Sequence, residues 1–378
     1  MDRYDAIVVG VGGMGSAALH HLAGRGQRVL GIERFDVPNS LGSSHGATRI
    51  IRLAQFEHPS YVPLVRRAYE LWRALESEAG ERLLHVTGAV DAGGELFEGS
   101  LRSCLAFDLP HEVVDGAELG RRFPAFHVPG DLPVLLQQDG GFLVPERCVV
   151  AHAEAARSRG AEVRTGERVL GWEAADDGVR VTTDRGLVAA DHLVLTAGAW
   201  SADVARLPEG LVVAERQVLA WLEPRRPELF AIGSFPVFNL EVEHEHLYGF
   251  PVFDAPGHRM PGFKVGRYER SGERTPSPDS MSREPTPDDE AAIRAPVERY
   301  FPDGAGPTLS LVTCPFEVSP DERFLIDTLR DSDRVVVAAG FSGRGFKFCS
   351  VVGEILADLV VDGGTRHDIS LFRLDRFD

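Results

Sequence analysis

Gly10-Val11-Gly12-Gly13-Met14-Gly15 follows directly on Asp5-Ala6-Ile7-Val8-Val9, and this junction decides the fold. The apolar run reads as a buried strand. A strand that enters G-x-G-x-x-G can set a pyrophosphate on a helix N-terminus. The first glycine allows a tight turn, the second lets backbone approach phosphate, and the third lets helix and strand pack closely. Ala18, Leu19, Leu22 and Ala23 recur at three-four spacing, so a helix is predicted over 15–23, stopped by Gly24 and Gly26. A second strand over 28–32 ends on Glu33, about 20 residues beyond the glycines, where an acid can hold ribose hydroxyls. A glycine-rich surface turn needs none of this register. Gly10, Gly12, Gly13, Met14, Gly15, Glu33 and Arg34 are therefore expected at a dinucleotide.

The 378 residues suffice for two domains, because single cores stop growing at about 250–300 residues. Hydrophobic residues are 43% and charged residues 26% of the chain, as in ordinary soluble globular proteins. Forty Lys and Arg against 57 Asp and Glu leave a net charge of −17, which argues against nucleic acid or an anionic membrane as partner. No apolar run approaches the roughly 18 residues of a membrane span. The first residues show no secretory pattern, so a cytoplasmic location is expected. Cys104, Cys148, Cys314 and Cys349 lie far apart without a C-x-x-C pair, which disfavours a disulfide framework or a zinc site. The histidines show no ligand spacing, and no metal is expected.

Strand-glycine-helix character recurs twice more. Leu193-Val194-Leu195 runs into Thr196-Ala197-Gly198-Ala199-Trp200. Val335-Val336-Val337-Ala338-Ala339-Gly340 precedes a helix in which Phe348, Val351, Val352, Ile355, Leu356, Leu359 and Val360 recur at helical spacing. Such continuous apolar strands suit a parallel sheet covered on both faces. Residues 83–142 and 219–313 instead carry shorter runs, such as Val218 to Leu222, and more prolines. The expected fold is α/β (α+β overall): a discontinuous Rossmann-like domain of 1–82, 143–218 and 314–378, and an inserted mixed or antiparallel sheet domain of 83–142 and 219–313. Arg270 to Asp289 reads as a solvated excursion leading into a helix near 290–300. A nicotinamide enzyme needs one glycine-rich unit. The second, Gly340-Phe341-Ser342-Gly343-Arg344-Gly345, gives a longer cofactor a second helix N-terminus and favours FAD over NAD.

These segments, taken in order, resemble the monomeric sarcosine oxidase family of flavoproteins, which includes N-methyl-tryptophan and pipecolate oxidases. The resemblance spans nearly the whole chain. It rests on Gly10 to Gly15, on Gly42-Ser43-Ser44-His45-Gly46-Ala47-Thr48-Arg49-Ile50-Ile51-Arg52, and on Cys314 with Ser319-Pro320-Asp321 behind it. Phe324-Leu325-Ile326-Asp327 and the run Gly340 to Phe348 complete it. The resemblance implies FAD attached through a thioether between Cys314 and the flavin 8-methyl carbon, with nearby cations favouring the thiolate. It places His45 and Arg49 beside the ring and Ser44, Thr48, Ala197, Gly198, Trp200, Gly343, Gly345 and Phe346 around the cofactor. Arg344 stands where sarcosine enzymes carry histidine, and either raises the flavin potential or points to solvent. Gly345 to Lys347 is expected to open the last helix toward the flavin.

Arg52 and Lys347 match the pair that grips a substrate carboxylate. Lys264, between Gly262 and Gly266, matches the lysine of oxygen activation, and the flanking glycines suggest close approach to a flat ring. Tyr248 matches an active-site tyrosine, and Tyr268 replaces a family histidine beside the substrate. The implied reaction is FAD-dependent oxidation of a secondary amino acid such as sarcosine. A hydride equivalent leaves the carbon next to nitrogen for flavin N5, the imine is hydrolysed to the demethylated amino acid and formaldehyde, and O2 becomes H2O2. Partners are then only the amino acid and O2, with the protein a monomer or weak oligomer. Oxidation of N-methyl-tryptophan, proline or pipecolate, a flavin-binding subunit of a larger dehydrogenase, and a nicotinamide dehydrogenase stay open. The Phe316 position and the 251–261 segment depart from the sarcosine enzymes.

Overall fold

A computed structural model of the chain describes residues 3–254, 261–268, 274–275 and 277–377. The glycine junction forms as expected: strand Arg3–Val9, helix Gly13–Gly24 and strand Val29–Ile32. Arg3–Val9 pairs in parallel with Val29–Ile32 on one side and with Gly186–Leu195 on the other. Glu162–Arg164 and Val335–Ala339 extend the parallel sheet at its two flanks, and Leu325–Thr328 adds an antiparallel strand.

Each face of this sheet has its own cover. Ala6, Val8, Val194 and Val336 share one core with helices Gly13–Gly24, Tyr61–Ala79, Pro145–Ser158 and Cys349–Asp362. Their alternates Ile7, Val9, Leu193 and Val335 pack with Val179, Val181 and Val188. Those valines belong to an antiparallel meander, Val169–Ala175, Gly178–Thr183 and the start of Gly186–Leu195. The sheet is thus buried on both faces, by helices on one and by strands on the other.

A second, nine-stranded sheet is mixed, and the long strands Val213–Leu222 and Thr308–Val318 pair antiparallel within it. The expected boundaries at 218/219 and 313/314 therefore fall inside strands of this sheet, and 142/143 falls inside strand Gly141–Leu143. Apolar runs mark strands but not the sheet they join. Thr308–Val318 begins in the second sheet and ends against the glycine loop after Val335–Ala339, where the Ser342 N–H donates to the Glu317 carbonyl at 2.8 Å. Phe126, Phe230, Phe235, Phe238, Phe263 and Phe301 fill the core between this sheet and helix Pro287–Tyr300. That helix matches the one expected near 290–300. Of the two segments singled out around it, residues 255–260, 269–273 and 276 lie outside the described residues.

The last helix starts later than expected. Phe346–Phe348 is a 3₁₀ turn and the α-helix begins at Cys349. Buried Trp72, on helix Tyr61–Ala79, donates its indole N–H to the Lys347 carbonyl at 2.9 Å and so anchors that turn. Trp72→Phe removes the donor while keeping an aromatic ring. Urea unfolding is expected to show a loss of about 1–3 kcal/mol; an unchanged midpoint would mean the turn is held by its neighbours alone.

Candidate active site

The glycine loop has the geometry its spacing requires. Gly10 adopts φ +88°, and a Cβ on Gly15 would run into the Gly10 carbonyl. At Gly12 the nearest atom to an added Cβ is Ser44 Oγ at 3.7 Å, so backbone there stays open to a ligand. Ser44 Oγ accepts the Gly13 N–H at 3.1 Å. The Glu33 carboxylate accepts the N–H of Val11 at 2.8 Å and of Phe35 at 3.0 Å. Burial pushes its pKa up against the pull of those donors.

A cavity of about 370 Å³ opens over this loop. Gly10, Gly12, Gly13, Met14, Glu33 and Arg34 line it, joined by Ser44, Arg49, Ala197, Gly198 and Trp200. Gly343, Gly345 and Phe346 also line it, so both glycine units meet in one space. Asp279, from the excursion left without a role, lines it too. It accepts from Arg34 at 2.8 Å and from the Trp200 indole N–H at 2.9 Å.

A second cavity of about 80 Å³ abuts the first, with Arg49, Phe316, Gly343 and Phe346 lining both. Thr48, Arg52, Tyr248, Tyr268, Cys314, Arg344 and Lys347 line it. Arg52 is buried and donates through Nε to Asp91 at 2.8 Å, while its Nη2 has no partner among the described residues. Burial lowers the Lys347 pKa to about 7, with Glu57 opposing and Arg52 and Arg344 assisting. Glu57, also in the lining, feels burial push its carboxyl up, yet Lys347, Arg52 and Arg344 hold it below the usual value.

Arg344 does not point to solvent. Its guanidinium bonds Glu322 at 2.6 Å, lies 3.6 Å from Glu57, and stacks against the Phe56 and Tyr268 rings.

The turn over residues 42–52 carries most of the expected flavin-side groups. Gly46 and Ala47 donate backbone N–H groups to Glu146, and Ser43 Oγ donates to the Pro315 carbonyl. Arg49 donates to the Ser43 carbonyl at 2.7 Å and reaches Cys314 Sγ at 3.6 Å. Burial pushes the Cys314 thiol up, while the expected nearby cations, Arg49, Lys264 and Arg283, pull it the other way.

Lys264 Nζ donates to the carbonyls of Gly46 at 2.7 Å and Thr48 at 2.8 Å and to Thr48 Oγ1 at 3.1 Å. Lys264 and His45 are buried behind the lining of both cavities rather than in it. Burial, with Arg49 assisting, lowers the His45 pKa to about 3, so its ring is neutral. The glycines beside Lys264 serve other neighbours: a Cβ at Gly266 would strike the Tyr248 ring, and Gly262 lies against Leu222 and Trp221.

Sequence reasoning missed Asp91, Asn239, Glu57 and Glu317. The first three lie outside the recognised motifs and meet the site only through the fold. Glu317 sits three residues after Cys314 in a recognised segment, and that proximity was the available signal. It lines the larger cavity with Oε2 unpartnered among the described residues. Burial raises its pKa to about 8 against the N–H groups of Gly340 and Phe341.

Comparison with known proteins agrees with this geometry. The family model of FAD dependent oxidoreductases matches residues 5–359. Monomeric sarcosine oxidase of Streptomyces avermitilis is 40% identical, over 98% of this chain and 96% of its own. N-methyl-L-tryptophan oxidase of Yersinia pestis is 33% identical over 99% of both chains. The open form of NikD, described as an unusual amino acid oxidase essential for nikkomycin biosynthesis, superposes with a TM-score of 0.86 at 27% identity. It covers 99% of this chain and 98% of its own. Among the described residues no helix is long and apolar enough to cross a membrane, and no group of three or more His, Cys, Asp or Glu is disposed to hold a metal.

The neutral acid at Glu317 makes stability depend on pH. Between the ordinary carboxyl value and about 8 the folded chain keeps a proton that the unfolded chain releases, so stability falls as pH rises. The slope from this group is at most about 1.4 kcal/mol per pH unit. Glu317→Gln cannot ionise and is expected to flatten that fall in urea titrations of cofactor-free protein at pH 5, 6.5 and 8. The same slope in both proteins would place the ionisation elsewhere.

Proposed function

This chain belongs to the FAD dependent oxidoreductase family, as a FAD-dependent amine oxidase, and from that premise we propose that it oxidises a small secondary amino acid, N-methyl or cyclic, at the carbon next to nitrogen. For an N-methyl substrate, water converts the imine to the demethylated amino acid and formaldehyde. O2 takes the two electrons and leaves as H2O2. The observation that carries the reading is the shared wall: a dinucleotide cradle and a small cation-lined cavity meet at Arg49, Phe316, Gly343 and Phe346.

FAD fits the larger cavity, where Gly12 leaves backbone uncovered, Glu33 faces the ribose end of the motif, and the two glycine units converge. Bound there, it would supply the two-electron acceptor. Cys314 is the proposed site of covalent attachment. In the smaller cavity Asp91 fixes the Arg52 guanidinium through Nε and leaves Nη2 for the substrate carboxylate. Lys347 is half protonated near pH 7 and would gain its proton as that carboxylate arrives. Tyr248, Tyr268 and Phe316 close the space around the reacting carbon and exclude water. The volume of about 80 Å³ favours a substrate the size of sarcosine or proline over one bearing an indole. Lys264 donates to the Thr48 carbonyl from behind the cavity wall, and a proton held there against the pull of burial would stabilise an anion forming from oxygen.

Peroxide release from the purified yellow protein on adding secondary amino acids tests the function, and colour retained on the polypeptide after acid precipitation tests attachment at Cys314. Absence of peroxide with every secondary amino acid would end the reading. Arg52→Ala is expected to raise KM for carboxylated substrates by roughly 100-fold, the scale of losing one partner of a buried charge pair; an unaltered KM would move the carboxylate elsewhere. For Lys264→Met, stopped-flow mixing is expected to show reoxidation by O2 slowed at least about tenfold with anaerobic reduction little changed. Equal losses in both half-reactions would withdraw the role from Lys264.

A further inference from the structure

One wall of the small cavity belongs to a cross-strand row of the nine-stranded sheet. Asp91, Asn239, Tyr248, Gly266 and Leu219 lie side by side in register on neighbouring strands. Partners in register share a face, and Asn239, Tyr248 and Leu219 line the cavity. Asp91 is buried at the end of the row and accepts from Arg52 Nε at 2.8 Å, from Ser100 Oγ at 2.7 Å and from Asn239 at 2.7 Å.

An ionised carboxylate accepts and never donates. The Asn239 contact with Asp91 is therefore made by Nδ2, which fixes the amide orientation. Oδ1 occupies the opposite branch of a side chain that is 9% exposed and lines the cavity. No described residue donates to that oxygen. Of the charged groups that line the cavity with it, Arg49, Arg52, Arg344 and Lys347 are donors suited to a carboxylate, and Glu57 is the one acceptor. An amide oxygen among them repels a carboxylate and needs a donor instead.

Where that donor sits on the ligand follows from the network. Arg52 and Asn239 bond the two oxygens of the same Asp91 carboxylate, so they are immediate neighbours in the wall. A ligand carboxylate on Arg52 brings the atoms one or two bonds from its α-carbon alongside Asn239. With the amine given to the redox step, a hydroxyl is the smallest side-chain donor that about 80 Å³ can take.

We propose that Asn239 is a specificity-determining residue whose side-chain oxygen accepts a hydrogen bond from a hydroxyl on the substrate side chain. The preferred substrate is then a hydroxyl-bearing N-methyl amino acid rather than its alkyl isostere. This rests on the reading that the cavity takes an amino acid by its carboxylate. An alkyl group against Oδ1 leaves a buried acceptor unpaired, which sets the size of the preference.

The test compares isosteres on the FAD-loaded enzyme. N-methylserine is expected to exceed N-methyl-2-aminobutyrate by about tenfold or more in kcat/KM. The amine-free pair 3-hydroxypropionate and butyrate, followed by perturbation of the flavin absorbance, is expected to show a similar ratio of dissociation constants. Asn239→Leu should bring both ratios to about one, whatever it does to the affinity for either acid alone. If that variant does not fold, Asn239→Ser, which keeps a hydroxyl near Asp91 but withdraws the carbonyl, carries the comparison. A ratio near one in the wild type overturns the proposal, as does a ratio that survives in the variant. An equal loss for both N-methyl substrates, with the amine-free acids unaffected, would assign Oδ1 to the amine and overturns it as well. If no secondary amino acid turns over at all, the oxidase reading fails, and the amine-free acids still decide the role of Asn239.

Discussion

A buried lysine amine ties the two cavities together. Lys264 comes from the second sheet and has no carboxylate partner among the described residues; the Gly46 and Thr48 carbonyls and the Thr48 hydroxyl hold it, with the Phe250 ring 4.4 Å away. Burial lowers its pKa well below the ordinary value, so each of those acceptors matters to keeping any charge there. The same acceptors fix the 42–52 turn. From that turn Ser44 reaches the glycine loop, Arg49 reaches Cys314, and Arg52 enters the small cavity. Together with Glu146, which accepts from Gly46 and Ala47, Lys264 thus fixes a turn that reaches both cavities.

A second polar centre, Asp91, does for the substrate side what Lys264 does for the cofactor side. Its two oxygens orient a guanidinium and an amide that face the same space. Removing charge from either centre would strand its partners, which explains why such polar groups sit among apolar strands. The charges around the small cavity are also nearly balanced: Arg52, Arg344 and Lys347 stand against Asp91, Glu57 and Glu322. An arriving anion tips that balance, and Lys347, close to neutrality, is the group able to respond.

Much of the fold is legible in the chain. Glycine spacing with flanking apolar runs identifies the cofactor loop because backbone sterics allow few other residues at Gly10 or Gly15. The segments around Arg49, Cys314 and Lys347 are equally recognisable, being short and dense in unusual residues. What escapes is everything that depends on sheet register. Asp91, Asn239 and Tyr248 come from separate strands, and only pairing reveals that they share a row. For the same reason the boundaries expected at 218 and 313 fall inside strands: a strand's hydrophobicity does not declare which sheet it joins. Gly266 teaches a related lesson, since it makes room for a tyrosine beside it rather than for a flat ligand.

Thr308–Val318 pairs along its length with Val213–Leu222 in the second sheet and delivers Cys314, Phe316 and Glu317 to the two cavities at its far end. The walls of the two cavities are consequently parts of one hydrogen-bonded ladder. On the proposed reading, exchanges at Asn239 or Leu219 would reshape the small cavity while the strand that carries Cys314 keeps its pairing.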